Sequence, residues 1–185
     1  MKKILIVVDM QEDFISGVFG TPEAKKIVPK VVEKIKERNW DKVFSTHDLH
    51  MDYKLENTVE VNTLPEHCSR DTNGFWLNID VFETLRTIHP DDYYSVTKNT
   101  FGAEYLCEQI EMALGNTEHF EIDIVGLCTD ICVISNALML RSSFPYAKIT
   151  VHEDCCAGTT PEAHEAALMV MRNCCINIAC HGVNV

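Results

Sequence analysis

Six short strand-like runs, separated by polar or helix-forming stretches, most constrain what this chain can fold into. They are Lys3–Val8, Lys42–Thr46, Tyr93–Thr97, His119–Val125, Ala147–Val151 and Ile176–Ala179. The first is a continuous, β-branched apolar run, the pattern of a strand buried on both faces. Helix patterns lie between the runs, at 22–38, 79–88, 103–114, 136–141 and 161–171. Strands alternating with helices imply right-handed βαβ crossovers. The expected fold is therefore α/β, a six-stranded and mostly parallel sheet with helices on both faces. The 185 residues suffice for one domain over 1–185 with a sizeable core.

The helices carry ordinary local signals. In the first, Pro22 follows Thr21 at the favoured opening position, and Ile27, Val28, Val31, Val32 and Ile35 form one apolar stripe. Pro29 falls inside the stripe and predicts a kink or break near Val28. Over 103–114, Tyr105, Leu106, Ile110 and Leu114 are expected to face inward, and Gly115-Asn116 to stop the helix. Ala163, Ala166, Ala167, Leu168, Val170 and Met171 are the apolar residues of the helix that Thr160-Pro161 opens. Residues 51–78 are polar and irregular, and a loop that long in a compact domain is usually functional.

Charge and cysteine content narrow the function. The net charge of −12 argues against nucleic acid or an anionic membrane surface as partner. No apolar stretch is long enough to span a bilayer, and Asp9 interrupts the run after the basic start, so no signal peptide is expected. Nine cysteines, an odd number without CxxC zinc spacing, read as mostly reduced thiols of a cytoplasmic protein.

Chemistry-bearing residues gather where the predicted strands end. Asp9 follows the first strand, Asp48 and His50 the second, and Lys98 the third. Gly126 to Asn136 makes a strand-to-helix turn after the fourth, with Asp130 as the expected N-cap and Cys132 in the first helical turn. In an open α/β sheet these carboxyl ends share one rim, where such folds place their sites. A helix start favours thiolate over thiol, which suits Cys132 to a nucleophile. Asp9 can take its proton, and the Lys98 charge favours both anions. Backbone N–H groups of Cys128 and Cys132 are the candidate oxyanion donors. This set points to acyl transfer through a thioester. Asp48, His50 and His67 form a candidate set for a divalent ion, zinc first and manganese or iron next. His152 and Asp154, at another predicted strand end, have no assigned role.

Val8-Asp9-Met10-Gln11-x-Asp13-Phe14, Lys98 after a strand, and Gly126-x-x-x-Asp130-x-Cys132-Val133 together resemble the isochorismatase-like cysteine hydrolases. The resemblance runs from Ile4 to about Ile178. It implies a catalytic triad of Asp9, Lys98 and Cys132, a cis peptide just before Cys128, and a homo-oligomer, dimer or tetramer. Asp48-x-His50 and Pro65-x-His67-Cys68, followed by Thr72-x-Gly74, resemble the metal motif of the nicotinamidase branch. That implies a metal-containing amidohydrolase of NAD salvage, cleaving a small aromatic amide such as nicotinamide to the acid and ammonia. Two departures stand out. Residues 59–63 lack the aromatic group usual before the metal-binding His, and Ser69-Arg70-Asp71 differs from the usual lid. Phe14, Trp76, Phe101 and Tyr105 are the candidate aromatic walls in its place. Arg70 leaves open a cysteine amidase for a carbamoyl or ureido compound. Ether hydrolysis is not expected, since isochorismatases themselves lack the nucleophilic Cys.

Overall fold

The computed structural model describes all residues except 38, 54, 55, 116, 118 and 181–185. The strands are β1 (Lys2–Val8), β2 (Lys42–Asp48), β3 (Tyr93–Lys98), β4 (Phe120–Leu127), β5 (Lys148–Ala157) and β6 (Asn177–Ala179). The helices are α1 (Glu12–Ile15), α2 (Pro22–Lys36), α3 (Val59–Thr63), α4 (Ile79–Ile88), α5 (Leu106–Leu114), α6 (Ile134–Ser143) and α7 (Pro161–Asn173). All strand pairs are parallel, in the order β3-β2-β1-β4-β5-β6.

That order decides where a site can form. The chain winds outward from β1 to β3, then returns to place β4 on the other side of β1. The winding thus reverses between β1 and β4, and a crevice opens there beyond their carboxyl ends. Asp9 leaves β1 and Cys128 leaves β4 at that point. Gly126 permits the close approach of the two strands. Its φ is +122°, and a Cβ there would lie 2.1 Å from the Val8 carbonyl oxygen.

Side chains from alternate strand positions feed two cores. Ile4, Ile6, Val8, Phe44, Ile122 and Ile124 pack under Leu106, Ile110, Ala137, Leu140, Leu168 and Met171 of α5, α6 and α7. Leu5, Val7, Val43 and Val125 pack on the other face under Ala24, Ile27, Val31, Ile35, Val81 and Leu85 of α2 and α4. The β1 residues Ile4 to Val8 are wholly buried, as a strand covered by helices on both faces should be.

Several local expectations need correction. The helix through Pro29 runs unbroken from Pro22 to Lys36. Pro29 lies on the exposed side, where water can serve the Lys25 carbonyl that it leaves without a donor. The predicted end of this helix at Arg38 lies outside the described residues. Strand β5 does not stop at Val151 but runs through His152-Glu153-Asp154 to Ala157, with a register shift against β4 between Ile124 and Gly126. Tyr105 precedes α5 and is exposed, so it does not face inward with Leu106, Ile110 and Leu114. Val170 is also on the solvent side of α7. Gly115 ends α5 at positive φ as expected, while Asn116 lies outside the described residues. The 51–78 stretch contains α3 and a 3-10 turn, Asn73–Phe75. Among the described residues no helix is long and apolar enough to cross a membrane.

Candidate active site and metal cluster

Asp9, Lys98 and Cys132 meet in one buried group at the β1/β4 crevice. Lys98 Nζ lies 2.8 Å from Asp9 Oδ2, 3.6 Å from Cys132 Sγ and 3.3 Å from Asp48 Oδ1. All four are buried. Thr46 Oγ1 donates to Asp9 Oδ1 at 2.6 Å and fixes the carboxylate plane. Asp9 itself adopts φ 45°, a left-handed conformation that turns the chain sharply out of β1 and is uncommon for a non-glycine residue.

The charges follow from burial and proximity. Burial works against the Lys98 ammonium, but Asp9, Cys132 and Asp48 hold its pKa well above the usual range. Burial pushes the Asp9 carboxyl up, with Lys98 opposing. Burial also drives the Cys132 thiol well above its ordinary value, more than Lys98 lowers it. That direction runs against the thiolate expected from a helix start, and Lys98 Nζ, 3.6 Å from the sulfur, is the group placed to favour the anion.

The turn that carries Cys132 is a π-helical turn, Thr129–Val133, leading into α6. The Leu127–Cys128 peptide is cis, as the resemblance implied. Asp130 is not its cap. Its carboxylate instead accepts from the Thr159 N–H at 2.8 Å and the Thr159 hydroxyl at 2.6 Å, so it binds the turn to the segment entering α7. Asn136, buried one helical turn beyond Cys132, donates to the Cys132 carbonyl at 2.8 Å and accepts from Ala103 N–H at 2.9 Å. It ties the nucleophile's backbone to the loop after β3.

Beside this group Asp48, His50, Glu60 and His67 bring ligand atoms within 4.8 Å of one another. Asp48 Oδ2 lies 3.1 Å from His67 Nε2 and 3.6 Å from His50 Nε2, and Glu60 Oε1 lies 3.7 Å from His67 Nε2. The remaining ring nitrogens are engaged outside the cluster. His50 Nδ1 donates to Glu56 Oε2 at 2.7 Å, and His67 Nδ1 donates to the Pro65 carbonyl at 2.8 Å. Each ring therefore turns its Nε2 inward, leaving that nitrogen as the one placed to ligate an ion. Among the described residues His50 Nε2 is buried without a hydrogen-bond partner, which costs free energy unless something charged or polar sits there. Two imidazoles and two carboxylates with such backing fit a divalent ion. Gln11 holds Asp48 in place, donating to its carbonyl at 2.8 Å and accepting from its N–H at 2.7 Å.

A small cavity joins the two groups. It is lined by Phe14, Phe19, Asp48, Glu60, Leu64, His67, Phe101, Cys128, Ile131, Cys132 and Thr159. Phe14 and Phe101, two of the candidate walls, are in this lining. Trp76 and Tyr105 are exposed and lie outside this lining. Trp76 follows the 3-10 turn and packs edge-on against Phe75 instead. Phe19 takes the wall position, stacked on Phe14 with centroids 5.9 Å apart and edge-on to His67 at 5.0 Å. Arg70 contacts Met51 and Asp71, is exposed, and does not line the cavity. His152 pairs with Asp123 and Asp154 lies 4.0 Å from Lys30, both away from the lining.

Sequence reasoning missed Glu60, Phe19, Gln11 and Asn136 as site residues. Thr58, which caps α3 by accepting from Val61 N–H at 3.2 Å, was the available sign that Glu60 sits on a turn of helix.

The Isochorismatase domain model matches residues 3–182, and the chain belongs to that family. Its fold closely matches the crystal structure of nicotinamidase PncA from Bacillus subtilis, at TM-score 0.81 and 27% identity over 97% of this chain and 99% of that one. The pyrazinamidase of Pyrococcus horikoshii, solved in complex with zinc, matches at TM-score 0.77 and 27% identity, over 97% and 99% of the two chains. A relative from Arabidopsis thaliana, 28% identical over 91% of this chain and 87% of its own length, is described as a probable inactive nicotinamidase.

Proposed function

We propose that this protein is a metal-dependent amidohydrolase of the nicotinamidase type, cleaving a small, flat, uncharged amide to a carboxylic acid and ammonia. The broad class, a hydrolase of amide C–N bonds in the isochorismatase family, follows from the family match and its nicotinamidase relatives. The observation that carries the finer reading is the single buried cluster in which Lys98 contacts Asp9, Cys132 and the metal-cluster carboxylate Asp48.

The proposed chemistry uses each residue once. Cys132 Sγ attacks the amide carbon as Asp9 takes its proton. The carbonyl oxygen becomes an oxyanion facing the Cys128 and Cys132 N–H groups. Asp9 then passes the proton to the departing nitrogen, so ammonia leaves and an acyl-thioester remains. Water, deprotonated by Asp9, attacks the thioester carbon. The acid departs and Cys132 regains its proton. Lys98 stays an ammonium throughout, and its charge bridges Asp9 and Asp48 beside the sulfur. Asp48, His50, His67 and Glu60 would hold the ion, with zinc as the first candidate. A bound divalent ion supplies a Lewis acid that can fix a heteroatom of the substrate. We further assign the protein to the cytoplasm and to NAD salvage, as a homo-oligomer.

The cavity favours this reading over a carbamoyl or ureido acid. Among the described residues that line it there is no Lys or Arg, while Asp48 and Glu60 are both acidic and Phe14, Phe19, Phe101, Leu64 and Ile131 are apolar. A substrate carboxylate would meet no Lys or Arg there and would face the two acids instead. The test is ammonia release from nicotinamide by metal-loaded and chelator-treated protein side by side. Metal-dependent release is expected. No release from metal-loaded protein whose Cys132 still alkylates would sink the substrate assignment.

A further inference from the structure

Besides Asn136, two side-chain anchors hold the turn bearing the oxyanion donors, and both of these run to the segment 158–164. The start of the turn, Cys128, has no capping side-chain bond. The first anchor is the Asp130 carboxylate on Thr159. The second is the hydroxyl of Thr129, wholly buried, at 2.8 Å from His164 Nδ1 in the first turn of α7. Thr129 directly follows Cys128, one of the two proposed oxyanion amides, and lies three residues before the other. The approach of α7 is tight as well. A Cβ on Gly158 would lie 2.8 Å from both Asp130 Oδ1 and His164 N.

We propose that His164 is a positioning residue for the reaction, holding the oxyanion turn in register through Thr129. The inference rests on Cys132 as the nucleophile, but not on nicotinamide as the substrate. Burial keeps the imidazole pKa below its ordinary value, so a neutral ring faces the hydroxyl. Such a ring offers one lone pair and one N–H, and the Thr129 hydroxyl can rotate to complement whichever nitrogen state is present. Losing this bond leaves the Asp130 anchor intact, so the turn should loosen at its Cys128 end without the fold opening.

Two probes of Cys132 separate positioning from a merely structural bond. Benzaldehyde adds reversibly to the thiol: a bond forms from Sγ to the carbonyl carbon, the C=O π bond breaks, the thiol proton passes to Asp9, and the new alkoxide sits where the oxyanion would. Iodoacetamide alkylates the same sulfur by displacing iodide and forms no oxyanion. His164→Ala should weaken benzaldehyde binding about tenfold or more and lower kcat by roughly 10–100-fold with KM within about threefold, given what single oxyanion donors contribute. Iodoacetamide reactivity should stay within about twofold, since it makes no use of the turn's N–H groups. His164→Asn, whose side-chain oxygen can occupy the Nδ1 position, should recover most of the loss. Thr129→Val, which removes the same bond from the other side, should reproduce it, and supplies the test should His164→Ala not fold. Unchanged benzaldehyde affinity in both variants, or an equal loss of alkylation and aldehyde binding, would overturn the assignment. Wild-type protein that binds benzaldehyde but releases no ammonia from nicotinamide would refute the substrate reading alone. Wild-type protein that neither binds benzaldehyde nor alkylates at Cys132 would overturn both.

Discussion

Asp48 Oδ1 lies 3.3 Å from Lys98 Nζ, while its other oxygen, Oδ2, lies 3.1 Å from His67 Nε2. One carboxylate thus belongs to two centres. The parallel pairing of β2 and β3 makes this unavoidable, because Asp48 and Lys98 are register partners at the last rung of that ladder. Burial opposes ionisation of Asp48, yet His50, His67 and Lys98 together hold its pKa well below the usual carboxylate range. Asp48→Asn should therefore damage both centres. We expect bound metal to fall at least tenfold, by analysis of dialysed protein, and kcat/KM to fall by about 10³ or more, since the Lys98 environment changes as well. His67→Asn should lower metal content while leaving Cys132 alkylation within about twofold, because no catalytic side chain loses a partner. Equal effects of the two substitutions on alkylation would contradict a shared carboxylate.

Glu60 faces His67 from α3, a short helix with no buried residues. A carboxylate on so exposed an element contributes little to folding, so its substitution should report on the ion alone. Glu60→Gln keeps the shape and removes the charge. Metal affinity should drop by about 10–100-fold, as for other groups that support a metal site, with the melting temperature of metal-free protein unchanged. Isothermal titration with zinc measures it. An unchanged affinity would remove Glu60 from the ligand set.

The state of Cys132 has a pH signature. Burial lifts its thiol well above the ordinary value, so the thiolate fraction is small at neutral pH and grows with every step upward. Alkylation by iodoacetamide should rise continuously through pH 9 rather than level off near 7. The sign for stability follows by linkage. Above the unfolded thiol's pKa the folded state binds the extra proton, so this residue's contribution to stability falls as pH rises through that range. A plateau in alkylation near neutral pH would instead identify a preformed thiolate.

How much of this was legible beforehand depends on range along the chain. Asp9, Asp48, Lys98 and Cys132 each follow an apolar run, so a strand count and the rim rule were enough to bring them together. His67 needed a motif, since its loop has no periodicity. Glu60 and Phe19 were harder to place for a different reason. Glu60 sits on a single short helix and Phe19 on an irregular segment, and the course of both depends on long-range ties, such as Asp13 Oδ2 accepting from Cys68 N–H at 2.7 Å across 55 positions. The misread Asp130 is instructive too. An Asp before a helix usually caps it, but the π-helical turn leaves its carboxylate to Thr159. Polar residues inside β5 ended the predicted strand early, because His152 finds its partner in Asp123 on the neighbouring strand.

Asn136 links the nucleophile to the rest of the rim. It is wholly buried and serves two backbone groups, the Cys132 carbonyl and the Ala103 N–H. Asn136→Ala would remove the side-chain partner of both. Removing one side of a buried hydrogen bond costs about 1–3 kcal/mol, and we expect a loss in that range by urea unfolding. Activity should suffer more than stability implies, since the Cys132 backbone would lose its tether to the loop that carries Phe101. Stability loss without any change in kcat would make Asn136 a purely structural residue.

The sharpest discrimination concerns substrate charge. The cavity pairs an apolar wall, Phe14, Phe19 and Leu64, with the carboxylates Asp48 and Glu60, and Arg70 lies outside it. Even with a divalent ion neutralising the two acids, no Lys or Arg among the described residues of the lining is there to pair with a carboxylate on the substrate. Burying such a charge unpaired is expensive, and it opposes binding before any chemistry starts. Neutral aromatic amides should therefore exceed N-carbamoyl amino acids in kcat/KM by at least about 100-fold, corresponding to roughly 2.7 kcal/mol in transition-state binding. Parallel assays of ammonia release from both classes, at equal metal loading, measure the ratio. A preference for the anionic compounds would mean that a basic group reaches the cavity from elsewhere, and the reading of this site as one for uncharged amides would fall.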